Sequence, residues 1–438
     1  MLKALILATL MTPAILRAET GSSAGDMPLP TITDQPGAEP APTATAAGAQ
    51  PEAHADAHAE APPEGPPKPP CGGDFRGFVL GLQQEAQAAQ IPATAITGWL
   101  DGVSADPLVL KADQRQGVFR KPFLEFAQSL IGDKRLPDAL AAWDDHQELF
   151  ARVETSFGVP PGIMLAIWGF ETDFGRFQGG YNTRDALVTL AWDCRRPEMF
   201  RPQTFAAMRL FARGDLTADT TGAWAGEIGM VQMLPQDILE RGIDGDGDGH
   251  ITLKTSVADA LMSGAGLLKA QGWRKGEPWL TEVVLPETFD WSLSGLDKDL
   301  PVAQWAALGV APRRGNTLPA DLEAALLLPQ GRKGPAFLAF PNFEVLLKWN
   351  KSLTYVTTTA YFATLIEGAE PALNTSPDPM LSDEEMRALQ AKLRDLGHDV
   401  GQIDGVLGAG TRRAVQTEQQ RLGLPADAWP TRELLDLL

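Results

Sequence analysis

One carboxylate, Glu171, closes the run Ile167-Trp168-Gly169-Phe170-Glu171-Thr172-Asp173-Phe174-Gly175, whose other faces are apolar. Burial disfavours the charged form of a carboxyl group and raises its pKa. An acid tuned in this way keeps its proton at neutral pH and can give it to a leaving group. The same residues also allow a helix-end Glu that reaches water or pairs with Arg176 or Arg184.

Two further segments carry polar groups among apolar neighbours. In Gly222-Ala223-Trp224-Ala225-Gly226-Glu227-Ile228-Gly229-Met230-Val231-Gln232-Met233-Leu234-Pro235, the glycines permit close approach of backbone or of a flat ligand. Gln232 offers a neutral amide that can orient an acid or a sugar substituent, which a packed turn would not by itself explain. The second segment joins Pro341-Asn342-Phe343 to Trp349-Asn350-Lys351-Ser352-Leu353-Thr354-Tyr355. Asn and Tyr beside aromatic rings suit a carbohydrate groove, and equally a core Asn satisfied by its surroundings.

Asp244-Gly245-Asp246-Gly247-Asp248-Gly249-His250-Ile251 has the spacing of an EF-hand-type loop. Asp244, Asp246 and Asp248 stand at positions one, three and five, and the His250 carbonyl at seven, the arrangement that surrounds a hard cation such as Ca²⁺. Position twelve, where a bidentate Glu belongs, is Thr255, so closure falls to the next acid, Asp259. The alternative is an acidic surface turn, and even a bound ion would be structural.

The elements that must position these groups are mostly helical. Pro160-Pro161 opens a helix well, because proline at the first position gives up only an N–H that has no partner. From there Ile163, Met164, Leu165, Ile167, Trp168 and Phe170 fall on every side of the wheel, which predicts a helix buried all round and ending near Gly175. Phe75, Phe78, Val79 and Leu82, then Leu149, Phe150, Val153 and Phe157, mark two more helices, whereas strands are hard to find beyond a short one around 336–340. Residues 381–438 read as a three-helix module: Ser382 and Glu385 form a capping box, Met386, Leu389, Leu393 and Leu396 follow, Ala414, Val415 and Leu422 mark a second helix, and Pro430 opens a third. The fold class is therefore mainly α.

Composition sets the context. Residues 1–18 have a Lys near the start, a short apolar run and Ala18 before Glu19, as a secretory signal peptide does. The run is shorter than a membrane-spanning helix needs. Residues 19–71 form a Pro/Ala-rich tether and 369–380 a second linker, leaving 72–368 as the main domain. The net charge of −19, more negative once Lys3 and Arg17 leave with the signal, speaks against nucleic acid as a partner. Cys71 and Cys194 are the only cysteines, in an exported chain either a disulfide or two buried thiols. Five scattered histidines give zinc sites and Ser-His-Asp triads little to work with.

Taken together the motifs resemble the family-B lytic transglycosylases of bacterial cell walls. Glu171-Thr172-x-Phe174-Gly175, Gly226-x-x-Gly229-x-x-Gln232-x-x-Pro235, the Asp-rich loop and Pro341-Asn342-Phe343 with Trp349-Asn350 stand in the family's order. The last unit is similar to a peptidoglycan-binding type 1 module. The resemblance implies a periplasmic enzyme with a lysozyme-like helical domain, an EF-hand-like calcium loop and a groove for peptidoglycan glycan strands. Glu171 would be the catalytic acid and then base, and Gly226, Glu227, Gln232, Asn350 and Tyr355 would line the cleft. Two residues depart from the pattern: Ala223 replaces a frequent Ser, and Glu227 stands where a small residue is common. A carboxylate at 227 could act as a second acid, which keeps a hydrolytic muramidase open beside a non-catalytic wall-binding protein. In the last module Glu418 replaces a usual aromatic.

Overall fold

The computed structural model describes residues 69–114, 121–314, 317–373 and 375–438; the expected signal peptide and almost all of the tether lie outside them. Among the described residues the chain is mainly α, with seventeen α-helices. The central one, Pro161–Thr172, has every residue buried except Glu171, as an apolar wheel requires. Around it pack Leu353–Ile366, Val257–Ala270 and Gln147–Phe157, in one continuous apolar core.

The chain enters this domain under restraint. Cys71 and Cys194 are joined by a disulfide, Gly72 N–H donates to Trp192 O at 2.7 Å, and the buried Arg201 donates to Pro70 O at 3.0 Å.

A five-stranded antiparallel sheet was not foreseen beyond its strand near residue 336. Its order is Asp299–Pro301, Glu323–Leu327, Ala336–Ala339, Leu280–Val284, Ala311–Pro312, with Leu326 opposite Leu338 and Val283 opposite Ala336. Ala324, Leu326, Ala336 and Leu338 face a second core with Phe289, Val302 and Trp305, while Leu327, Phe337 and Ala339 face the helical core. Where both faces are covered, at 324–327 and 336–339, the strands are continuously apolar and lose the alternation that would have marked them.

The C-terminal module has helices Asp383–Asp395, Ala409–Arg421 and Arg432–Leu437 around Leu381, Met386, Leu389, Leu393, Val415 and Leu434. The Ser382–Glu385 capping box forms in both directions. The third helix starts two residues after Pro430, because Thr431 supplies the cap by accepting from Leu434 N–H at 3.2 Å. Glu418 is 4% exposed and is held by His398 Nε2 at 2.8 Å and Arg421 Nε at 2.6 Å. Burial alone would raise its pKa, but these partners outweigh it and keep the carboxyl below its ordinary range.

Candidate active site

Glu171 sits one residue before the end of its buried helix, and the backbone reverses immediately after it. Asp173, Phe174 and Gly175 all take positive φ, at 51°, 59° and 83°, the first two being side-chain-bearing residues in a conformation only their surroundings can hold. Those surroundings are specific: Thr172 Oγ1 donates to Met230 O at 2.6 Å and accepts from Gly175 N–H at 3.0 Å. The Gln178 amide donates to Gly175 O at 3.1 Å and Lys254 O at 3.0 Å. The turn after Glu171, the Gln232 segment and the chain following the Asp-rich loop are thereby stitched together.

The reversal leaves the Glu171 carboxyl partly exposed rather than sealed in the core. Its Oε1 accepts two hydrogen bonds, from Trp349 Nε1 at 3.1 Å and from Tyr355 O–H at 3.0 Å. Tyr355 is buried and its pKa is raised well above 10 by burial and by the neighbouring Glu171 charge, so it stays a donor through the whole physiological range. Arg176 bonds Asp138 and Asp173, and Arg184 bonds Asp185 and Asp101 O, which gives both arginines weighed as partners of Glu171 other acceptors. Arg135 lies over the Phe170 ring at 5.7 Å and 3.5 Å from Asp173.

The helix bearing Glu171 is pinned at both ends by one antiparallel neighbour. Tyr355 lies in the first turn of Leu353–Ile366, and Glu367, just past its last turn, accepts Gly162 N–H at 2.7 Å.

The other expected residues sort differently. Gln232 is buried with φ +50°, and its amide donates to Gly229 O at 2.8 Å. Asn350 is buried and its Oδ1 accepts Ser352 N–H at 2.9 Å, leading the chain into the Tyr355 helix. Gly226 and Gly229 are points of close packing: a Cβ at the first would fall 2.2 Å from Leu187, and one at the second 2.4 Å from Leu253. These glycines serve packing. Glu227 is 3% exposed. Asn342 is a satisfied core residue, with Arg274 N–H and the Arg274 and Glu277 carbonyls as partners. Trp349 was passed over as a donor; its place directly before Asn350 was the available signal.

In the acidic loop, the carboxylates of Asp244, Asp246 and Asp259 converge within 4.8 Å of one another, while the Asp248 carboxylate and the His250 imidazole lie outside that cluster. His250 Nδ1 faces Asp215 at 3.4 Å. Asp259 is fully buried and accepts Gly245 N–H at 2.8 Å and Thr252 N–H at 2.7 Å, so it closes the loop from position sixteen. Gly249, Gly247 and Asp248 donate backbone N–H groups to Asp244 and hold its pKa below the usual carboxylate value. Three carboxylates, two on the loop and one in the first turn of the helix that follows it, fit a hard divalent cation.

The candidate site is thus a carboxyl one residue from the end of a buried helix, with Trp349 and Tyr355 donating to one of its oxygens. Residues 74–364 match the Transglycosylase SLT domain and residues 382–438 the putative peptidoglycan binding domain. The chain belongs to the transglycosylase SLT family. It is similar to membrane-bound lytic murein transglycosylase B of Escherichia coli, at 31% identity over 238 residues, which are 53% of this chain and 64% of that protein. Its fold is similar to that of SltB3 from Pseudomonas aeruginosa, solved in complex with NAG-anhNAM-pentapeptide, at TM-score 0.78 and 36% identity over 84% of this chain and 99% of that one. It is also similar to Escherichia coli Slt35 in complex with calcium, at TM-score 0.58 and 25% identity over 68% of this chain and 95% of that one.

Proposed function

We propose that this chain is a peptidoglycan lytic transglycosylase, cleaving the β-1,4 bond between N-acetylmuramic acid and N-acetylglucosamine and leaving 1,6-anhydro-muramyl ends. The observation that carries the reading is the donor pair of Trp349 and Tyr355 on Glu171 Oε1. These donors hold and orient the Glu171 carboxyl, which carries the transferable proton. Glu171 gives that proton to the glycosidic oxygen as the bond to the anomeric carbon breaks, and the sugar's 2-acetamido group stabilises the charge left there. The carboxylate then takes the proton of the muramyl 6-hydroxyl while that oxygen bonds to the anomeric carbon. Glu171 finishes protonated, and no water is consumed. A hydrolase of the ordinary kind needs a second carboxylate. Gln232 and Asn350 would hold acetamide or hydroxyl groups of the glycan.

Asp244, Asp246 and Asp259, with the His250 carbonyl, would hold a calcium ion whose role is to fix the loop behind the Gln178–Lys254 contact. The signal-like N-terminus and the murein substrates named for the relatives support a periplasmic location, and among the described residues no helix is long and apolar enough to cross a membrane. Residues 72–368 would form the catalytic unit, 369–380 the linker and 381–438 the wall-binding module.

The test is mass spectrometry of glycan fragments released from purified sacculi. Anhydro-muramyl ends are expected; reducing ends would transfer the assignment to a muramidase using Glu227. Unchanged lysis by Glu171→Gln would discard the acid.

A further inference from the structure

The linker 369–380 suggests a loosely tethered module, yet the second helix of that module docks on the loops that flank the strands. Gln416, 7% exposed, donates to Ser294 O at 2.9 Å and to Ala426 O at 3.0 Å of its own module, while its Oε1 accepts from Lys298 Nζ. Arg412, one turn earlier, donates to Pro329 O at 2.8 Å and lies over the Trp429 ring at 5.8 Å. Asp427, 2% exposed, accepts Arg332 N–H at 3.0 Å, and Trp429 Nε1 donates to Asp378 O at 3.0 Å. Gly331 makes the approach possible: its φ is +69°, and a Cβ there would fall 2.6 Å from Trp429 Cβ and 2.9 Å from Asp427 Oδ2. Burial lowers the Arg412 pKa to about 10, so the guanidinium still carries its charge at neutral pH.

Such contacts are not those of a free tether. Charged and amide groups that give up water need their specific partners, and removing one partner strands the other. Shape and polarity therefore select one docked arrangement.

We infer that the C-terminal module is a fixed arm, with Arg412, Gln416 and Asp427 as positioning residues that hold a wall-bound glycan in one register with the Glu171 groove. The inference rests on the transglycosylase reading above, and it assigns to the docked contact, not to linker length, the task of presenting insoluble substrate. A second contact at the right spacing raises apparent affinity without touching the chemistry, and is lost when geometry prevents both contacts from engaging.

The test uses the full chain on two substrates, purified sacculi and a short soluble glycan too small to bridge groove and module. Arg412→Glu and, as a milder change, Gln416→Ala combined with Arg332→Ala are compared with a six-residue Gly/Ser insertion after Pro377. Small-angle scattering reports undocking, and melting temperature reports folding. Undocked variants are expected to lose about tenfold or more on sacculi while keeping soluble-glycan turnover within about twofold, a modest part of the avidity gain that correct spacing provides. The insertion should leave both rates unchanged. Undocked variants that digest sacculi like the parent would overturn the fixed arm, as would equal losses on both substrates or a loss caused by the insertion alone. Failure of the catalytic reading is separate: the unmodified chain would then release no anhydro product from either substrate.

Discussion

The two carboxylate sites of this protein are held in opposite ways. Glu171 takes both of its identified donors from residues 178 and 184 positions away, Trp349 at the end of one helix and Tyr355 in the first turn of the next. The Asp-rich loop is held by its own backbone: Asp244 collects N–H groups from residues three to five positions on, and Asp259 from residues seven and fourteen positions back. A site assembled by tertiary packing reacts to changes anywhere along the two helices. A site assembled by its own loop tolerates distant change and depends on a few carboxylates.

The largest effect that separates the two should come from Glu171→Gln. It should lower sacculus solubilisation by about 10³-fold, the range of a lost general acid, with melting temperature and calcium response unaltered. A residual rate within tenfold of the parent would move the acid elsewhere. Asp259→Ala should do the reverse, lowering stability by roughly 3 kcal/mol because two backbone N–H groups lose a charged acceptor. Denaturant titration with and without calcium measures it, and an unchanged midpoint would contradict the loop's closure by this residue.

Tyr355→Phe should be milder, about 30-fold in kcat/KM, as expected for one hydrogen bond to a charged group. Because the Tyr355 pKa is raised well above 10, the parent pH profile should show no tyrosine titration below that point. The smallest effect should be the pH response of the metal-free loop. Asp244 has a lowered pKa in the folded state, so its contribution is complete above its ordinary value near 3.8 and is lost as pH falls through the lower folded value. The Asp244 contribution to the melting temperature without calcium should therefore be lost only below about pH 4, and an acid fall of the same size in Asp244→Asn would contradict it.

Much of the helical framework could be read before the structure was in hand, because its signals are local. Pro161 at a helix start, an apolar wheel without a polar stripe and the Ser382–Glu385 box each need only a dozen residues to recognise. The acidic loop was legible for the same reason, and even its unusual closure by Asp259 followed from the absence of an acid at 255. Beyond its strand near residue 336 the sheet was not legible: Glu323-Ala324-Ala325-Leu326-Leu327 is covered on both faces and carries no period of two. Nor was the division of labour among polar residues. Asn342 and Asn350 both stand beside aromatic residues in the sequence, yet only packing shows that Asn342 spends its whole amide on Arg274 and Glu277. The glycines at 226 and 229 likewise signalled close approach correctly, while the approaching groups proved to be Leu187 and Leu253.

Pinning Pro161–Thr172 at Gly162 and at Glu171 against a single partner helix has a thermal corollary. Neither helix can slide or fray past the other without breaking a tie at an end, so the acid should not drift out of alignment in a warmed but still folded molecule. Heat inactivation should then follow the global melting curve, with no earlier loss of turnover.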